Sequence, residues 1–380
     1  MRAFLYIHIP FCVKKCIYCD FFSLPYDEPA VRTYVDALCK ELNLKKHPDA
    51  ALKTIYIGGG TPTLLPAECF RQLLKCLRSN YHFSSEIEIT VEANPGTVDK
   101  AKIDTLLSLG VNRLSFGVQS FNDSELMTLG RIHSSDEALR SIESIKKAGL
   151  KNFSIDLMYG IPGQSMESWR ESLTKAIELS PSHISAYELT PEENTPLYPL
   201  IQSRKITMPN EELILEMYNY AIDYFAGSGY THYEISNFAK PGLQCVHNLN
   251  YWDRGEYIGA GAGAHSFISG IRSMNTKDIN EYAATLNSGR IPEIQSMKLT
   301  PEDEIKEFIF LGLRKIGGIS LNKMPHTTES VTDKERLLKV CKDLLDEGYL
   351  ELSGDFLRLT RKGIVISNTI IVRLFGKLGL

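Results

Sequence analysis

The stretch Tyr6-Ile7-His8-Ile9-Pro10-Phe11-Cys12-Val13-Lys14-Lys15-Cys16-Ile17-Tyr18-Cys19-Asp20-Phe21 decides how the rest of the chain is understood. It begins as an apolar strand and breaks at Pro10 into a tight loop. The loop places cysteines at 12, 16 and 19, a Cys-x3-Cys-x2-Cys spacing. Three thiolates on so short a loop suit three irons of a [4Fe–4S] cluster. Such a cluster normally takes four thiolates, and no fourth cysteine lies nearby. One iron is then open to another ligand, which points to chemistry rather than electron storage. Other readings compete. Zinc with His8 as fourth ligand matches the donor types, although His8 precedes the loop on the strand. A disulfide fits an odd local count and an intracellular-looking chain poorly. Core packing does not place three cysteines in eight residues. Cys39, Cys69, Cys76, Cys245 and Cys341 are scattered and read as small core residues.

Outward from the loop, strand-like and helix-like segments alternate. Apolar period and breaker residues predict strands over 4–9, 54–57, 86–91, 113–118, 153–158 and 183–187. Helical spacing fills the intervals over 34–44, 68–77, 100–109, 136–148 and 168–179. Six β-α units imply a parallel sheet with helices outside, a partial TIM-like (β/α)6 barrel in an α/β fold. Ligand sites then belong at the strand C-terminal ends. The polar and glycine-rich residues fall there in turn: the Cys loop, Gly58-Gly59-Gly60-Thr61, Glu92, Gln119 and Asp156. Taken singly, each reads as a tight turn or a solvated side chain. Their recurrence at one end of successive strands argues for one shared site.

After Thr190 the rhythm changes. A helix is expected over 211–225. The barrel is expected to end near 230, with a connecting region over 231–300. Residues 301–380 read as a smaller, mostly helical unit with a helix over 334–347 and a hairpin around Gly354. That pattern is winged-helix-like. With no basic recognition face, it is expected to act as a structural element or a cover over the substrate. A net charge of −4 predicts no nucleic-acid partner. No apolar run reaches the length of a membrane span, and the N-terminus lacks a signal-peptide layout. The expected location is cytoplasmic.

At the Cys loop the chain resembles the radical S-adenosylmethionine (SAM) superfamily. The resemblance implies that SAM chelates the open iron and that an external reductant, such as a flavodoxin or ferredoxin, supplies electrons. It also implies SAM-binding roles for Tyr6, Tyr18, Gly59, Gly60, Thr61, Glu92, Gln119, Arg131 and Asp156. Four stretches narrow the match: Tyr6–Phe11, Gly58–Pro62, Ser115–Phe121 and Ile155–Gln164. They are similar to the oxygen-independent coproporphyrinogen III oxidase family over essentially the whole chain. One branch of that family decarboxylates coproporphyrinogen III to protoporphyrinogen IX. Another, the HemW branch, binds heme and hands it to apoproteins. The oxidase branch carries a further cysteine two residues beyond the third, where this chain has Phe21, and a longer N-terminal extension. The segment His247-Asn248-Leu249-Asn250-Tyr251-Trp252 resembles the His-Asn-x-x-Tyr-Trp signature of the heme-binding branch, and Gly259–Ser266 is similar to it as well. These differences favour a heme chaperone over the oxidase. They make His247, Tyr251 and Trp252 candidate heme contacts, with His265 and Cys245 as weaker ligand candidates. The competing reading packs His247, Tyr251 and Trp252 beneath the C-terminal unit. Heme or porphyrin and a heme-accepting apoprotein are the implied partners. Delivery to a respiratory protein implies transient contact with a membrane face.

Overall fold

The six expected strands form as Arg2–Ile9 (β1), Ala51–Gly59 (β2), His82–Ala93 (β3), Arg113–Gln119 (β4), Phe153–Tyr159 (β5) and His183–Glu188 (β6). Each pairs in parallel with the next in chain order. The structure, a computed structural model, describes residues 2–46, 51–325 and 333–379. Strand alternation gives the sheet two unlike faces. Leu5, Ile7, Ile55, Ile57, Ile89, Val91, Leu114, Phe116, Ile155 and Leu157 form the apolar face. Helices cover it. Helix Glu28–Leu44 contributes Val31, Val35, Leu38 and Leu42 at helical spacing, and Asp27 caps its start by accepting from the Ala30 N–H. The other face carries Tyr56, Glu92, Arg113, Ser115, Asp156 and Ser185. It lines a cavity rather than a filled barrel core.

The sheet does not stop at residue 230. Thr231–Glu234 (β7), Asn237–Ala239 (β8) and Ile258–Ala260 (β9) join it, giving nine strands in the order β9-β1-β2-β3-β4-β5-β6-β8-β7. β9 lies parallel to β1, while β8 runs antiparallel to β6 and β7 antiparallel to β8. The barrel is therefore open, with β7 and β9 as its edges. Buried Glu41 fastens the β9 side. It accepts from the Gly261 N–H (2.7 Å), the Asn275 amide (2.7 Å) and the Tyr282 hydroxyl (2.5 Å), and pairs with Lys45 at 2.6 Å.

The C-terminal unit has the winged-helix pattern expected. Helix Asp333–Asp346 precedes the hairpin Leu350–Ser353 and Phe356–Leu359, and Ile319–Ser320 adds a third strand beside Phe356–Leu359. It docks on the outside of the barrel. The Arg361 guanidinium grips Asp223 at 2.5 and 2.8 Å, and the Arg314 guanidinium lies 4.9 Å from the Trp252 ring centroid. Among the described residues, none after Asn248 lines the cavity. No described helix is long and apolar enough to cross a membrane.

Candidate cofactor site

The Cys loop leaves the top of β1 and is held at its base. Phe11–Cys12 pairs with Leu24–Pro25, the Leu24 N–H donates to Pro10 O (2.6 Å), and the Tyr26 N–H to Cys12 O (2.9 Å). A turn brings the Cys19 N–H to Cys16 O at 3.3 Å. Ile17 ties the loop outward, donating to Leu129 O and accepting from the Leu197 N–H. Cys12, Cys16 and Cys19 are free, partly exposed, and all line the cavity mouth. Cys12 Sγ lies 3.6 Å from Thr61 Oγ1, and Arg131 Nη1 donates to Cys16 Sγ at 3.5 Å. Burial pushes the Cys19 thiol up to about 11. Among the described residues, no three His, Cys, Asp or Glu side chains converge on a single-ion site. Cluster ligation has a different geometric demand, since each thiolate takes its own iron.

The glycine turn at the end of β2 abuts this loop. The Gly60 N–H donates to Ile9 O and the Thr61 N–H to Phe11 O. A Cβ at Gly60 would sit 2.7 Å from Phe11 O, so no larger residue fits there without moving the loop. Gly59 adopts φ 115° and donates its N–H to Glu92 Oε2 at 3.0 Å. Glu92 also accepts from the Tyr56 hydroxyl at 2.8 Å. Enclosure in the barrel outweighs both bonds and pushes its carboxyl up to about 7. Asp156 sits in a cup of hydroxyls, Ser185 at 2.8 Å, Ser154 at 3.1 Å and Ser115 at 3.2 Å; burial still raises its pKa. Gln119 ends β4 at φ 69° and accepts from the Tyr187 hydroxyl at 2.5 Å. Arg131 Nη2 donates to Asn94 Oδ1 (2.7 Å) and Gly117 O (2.6 Å).

Of the residues expected at this site, Tyr18, Gly59, Gly60, Thr61, Glu92, Gln119, Arg131 and Asp156 line one cavity of about 460 Å³ with the three cysteines. Tyr6 does not. Its hydroxyl bonds His8 Nδ1 at 2.9 Å and its ring stacks on Tyr56, which faces the cavity in its place. Asn94, Tyr187, Ser115 and Ser185 also line the site and were not anticipated. Strand alternation counted from Gln119 and Asp156 finds Ser115; the same count along 183–187 finds Ser185 and Tyr187.

The second candidate constellation lies elsewhere. Helix Val246–Trp252 closes the barrel below, with the Val246 and His247 N–H groups donating to Glu88. The His247 ring is 1% exposed. Nδ1 bonds Thr54 Oγ1 at 2.7 Å, Nε2 bonds the Tyr251 hydroxyl at 2.9 Å, and the ring stacks on Tyr56. Burial lowers its pKa to about 3, so the ring is neutral. Both ring nitrogens are spent inside the chain, and iron ligation would require breaking one of these bonds. Trp252 lies under Arg314, and Cys245 is fully buried with its thiol near Glu88. His265 is exposed on the strand His265–Ile268, and its pKa is lowered first by desolvation.

Residues 6–176 match the radical SAM superfamily and residues 299–366 the HemN C-terminal domain. A protein of Bacillus subtilis strain 168 described as heme chaperone HemW is 37% identical over 98% of this chain and 99% of its own length. The chain belongs to the HemW family of radical SAM proteins. A heme chaperone HemW of Escherichia coli strain K12 is also 37% identical, over 97% of this chain and 96% of that one. The structure of coproporphyrinogen III oxidase (HemN) from Escherichia coli superposes with a TM-score of 0.83, covering 98% of this chain and 90% of that one at 24% identity. That likeness establishes the shared fold, an α/β radical SAM barrel with a C-terminal helical unit. Membership implies a [4Fe–4S] cluster and SAM. The donor set fits both: three thiols on one clamped loop, a guanidinium against one of them, and acids and amides arrayed along the adjoining strand ends.

Proposed function

We propose that this chain is a heme carrier that transfers heme to apo-hemoproteins while holding a [4Fe–4S] cluster on Cys12, Cys16 and Cys19. The observation that carries the reading is nearly end-to-end similarity to proteins described as heme chaperones. Phe21 supports it, standing where the oxidase branch has a further cysteine; its ring is 64% exposed. SAM supplies an amino group and a carboxylate to the open iron when bound. In this reading Glu92, Gln119, Arg131 and Asp156 orient it, and Thr61 and the glycine turn set its distance from the loop. Tyr18 flanks it from the Cys loop. An external reductant and a respiratory acceptor belong to the same proposal, as does transient contact with a membrane face. The division into a barrel over 1–230, a connecting region over 231–300 that adds three edge strands to the barrel sheet, and a C-terminal unit over 301–380 is likewise proposed as functional, with the last as a structural element or a cover over the substrate.

Two measurements on one anaerobic preparation test the reading. Heme titration is expected to show tight, stoichiometric binding. Incubation with SAM, reductant and coproporphyrinogen III is expected to give no vinyl product. Absence of heme binding sinks the carrier reading, and clear decarboxylation replaces it with the oxidase.

A further inference from the structure

Every second residue of β4, Arg113, Ser115, Gly117 and Gln119, lines the cavity. Gln119 and Gly117 belong to the cluster end. Arg113 starts the strand, roughly 20 Å below Gln119 at about 3.3 Å per residue. It is 2% exposed, and its Nε and Nη1 meet no hydrogen-bond partner. Thr90 pairs with it in register on β3, and the Thr90 hydroxyl is likewise buried and unpartnered. Alternation with Glu92 places Thr90 on the same inner face. Asn237, another lining residue, leaves Oδ1 without a partner.

The other buried charges around this cavity are engaged, save that Arg131 Nε also lacks a partner. Glu92 and Asp156 have their oxygens bonded, and Arg131 directs both terminal nitrogens at partners. Glu88 acts on Arg113 through space, but its oxygens are taken up by helix Val246–Trp252. A buried guanidinium with two unbonded nitrogens is costly, and its planar fork matches a carboxylate. Glu92 and Asp156 in the same cavity disfavour a doubly charged phosphate more than a single negative charge.

We propose that Arg113 binds the carboxylate of a second ligand at the floor of the barrel. The residues that would hold SAM lie at the opposite, cysteine end of the cavity. The carboxylate comes either from a propionate arm of the tetrapyrrole or from a free organic acid. The first source rests on the heme reading above; the second does not.

The test compares wild-type, Arg113→Met and Arg113→Lys proteins, full length and anaerobically reconstituted. Hemin and hemin dimethyl ester are titrated, SAM affinity is measured by equilibrium dialysis, and melting is followed with and without millimolar succinate or acetate. A propionate source predicts that wild type prefers hemin over its ester by about tenfold or more, the scale of a charge-assisted hydrogen bond. Arg113→Met abolishes that preference, and Arg113→Lys keeps part of it. A free-acid source predicts equal binding of hemin and ester, with a wild-type melting point raised by the acids and an Arg113→Met melting point that does not move. In both cases ligand-free Arg113→Met melts no lower than wild type, and SAM affinity is unchanged. Three results overturn the proposal: neither comparison separates wild type from Arg113→Met; the variant loses SAM affinity; or its ligand-free form melts well below Arg113→Lys, which marks a structural role. If wild type binds no hemin, the heme reading fails and the acid measurements alone decide the subsite.

Discussion

The cavity mouth and the closing helix below it each carry a sequence signature, yet they are built in opposite ways. At the mouth, Cys12, Cys16 and Cys19 are partly exposed thiols held by backbone hydrogen bonds and by a guanidinium and a hydroxyl from neighbouring loops. At the floor, His247 is sealed, with Thr54, Tyr251 and Tyr56 occupying its nitrogens and one ring face. A motif therefore marks constraint, and constraint arises as readily from a closed packing network as from an open ligand site.

The contrast is broken most directly at the cysteines. Replacing Cys12, Cys16 and Cys19 by alanine is expected to abolish cluster absorbance and iron content. The ligand-free fold should lose no more than about 1 kcal/mol, as for partly exposed side chains outside a core. A triple variant that keeps its iron would remove the cluster assignment. His247→Ala should do the reverse. It leaves the Thr54 and Tyr251 hydroxyls unpaired and empties the space beside Tyr56, costing about 3–4 kcal/mol in denaturant unfolding. Its folded fraction should bind heme with an unshifted Soret band. A shifted band in a fully stable variant would place that ring on iron.

Titration sharpens the comparison, because the two ends have opposite signs. The Glu92 carboxyl is raised to about 7 by burial, so the folded state holds its proton longer than the unfolded chain. Its contribution makes stability fall as pH rises from about 4.5 to 7, by up to about 1.4 kcal/mol per unit. His247 is lowered to about 3, so its contribution makes stability fall as pH drops below about 6.5. Glu92→Gln should gain on wild type across the first window, reaching about 3 kcal/mol near neutral pH in ligand-free protein. A flat difference between the two would mean that Glu92 titrates normally. The smallest effect is expected from Tyr251→Phe, which removes one hydrogen bond to His247 and should cost about 1 kcal/mol.

The barrel was legible because each core strand has a strong apolar alternate face and a glycine or polar break at its end. Ala51–Gly59 and His82–Ala93 run longer than predicted, since their outer ends are held by pairing rather than by their own pattern. Thr231–Glu234, Asn237–Ala239 and Ile258–Ala260 escaped notice, being too short for period to register. That the three cysteines share one tight loop beside the cavity was legible from their spacing and from the strand before them. Tyr6 was placed at the site by resemblance, but sequence does not say that its register neighbour Tyr56 lines the cavity instead. Nor does sequence alone say whether His247 opens onto a cavity or a wall; that depends on Thr54, nearly two hundred positions earlier.

The pairing of β9 with β1 has a consequence for synthesis. Leu5, Tyr6 and Ile7 find their partners in Ile258, Gly259 and Ala260. On the ribosome the strand that leads into the Cys loop therefore waits as a bare edge until more than two-thirds of the chain has emerged. Until then the cysteines stand on an unfinished rim, and iron delivered during translation meets an open sheet rather than the completed pocket.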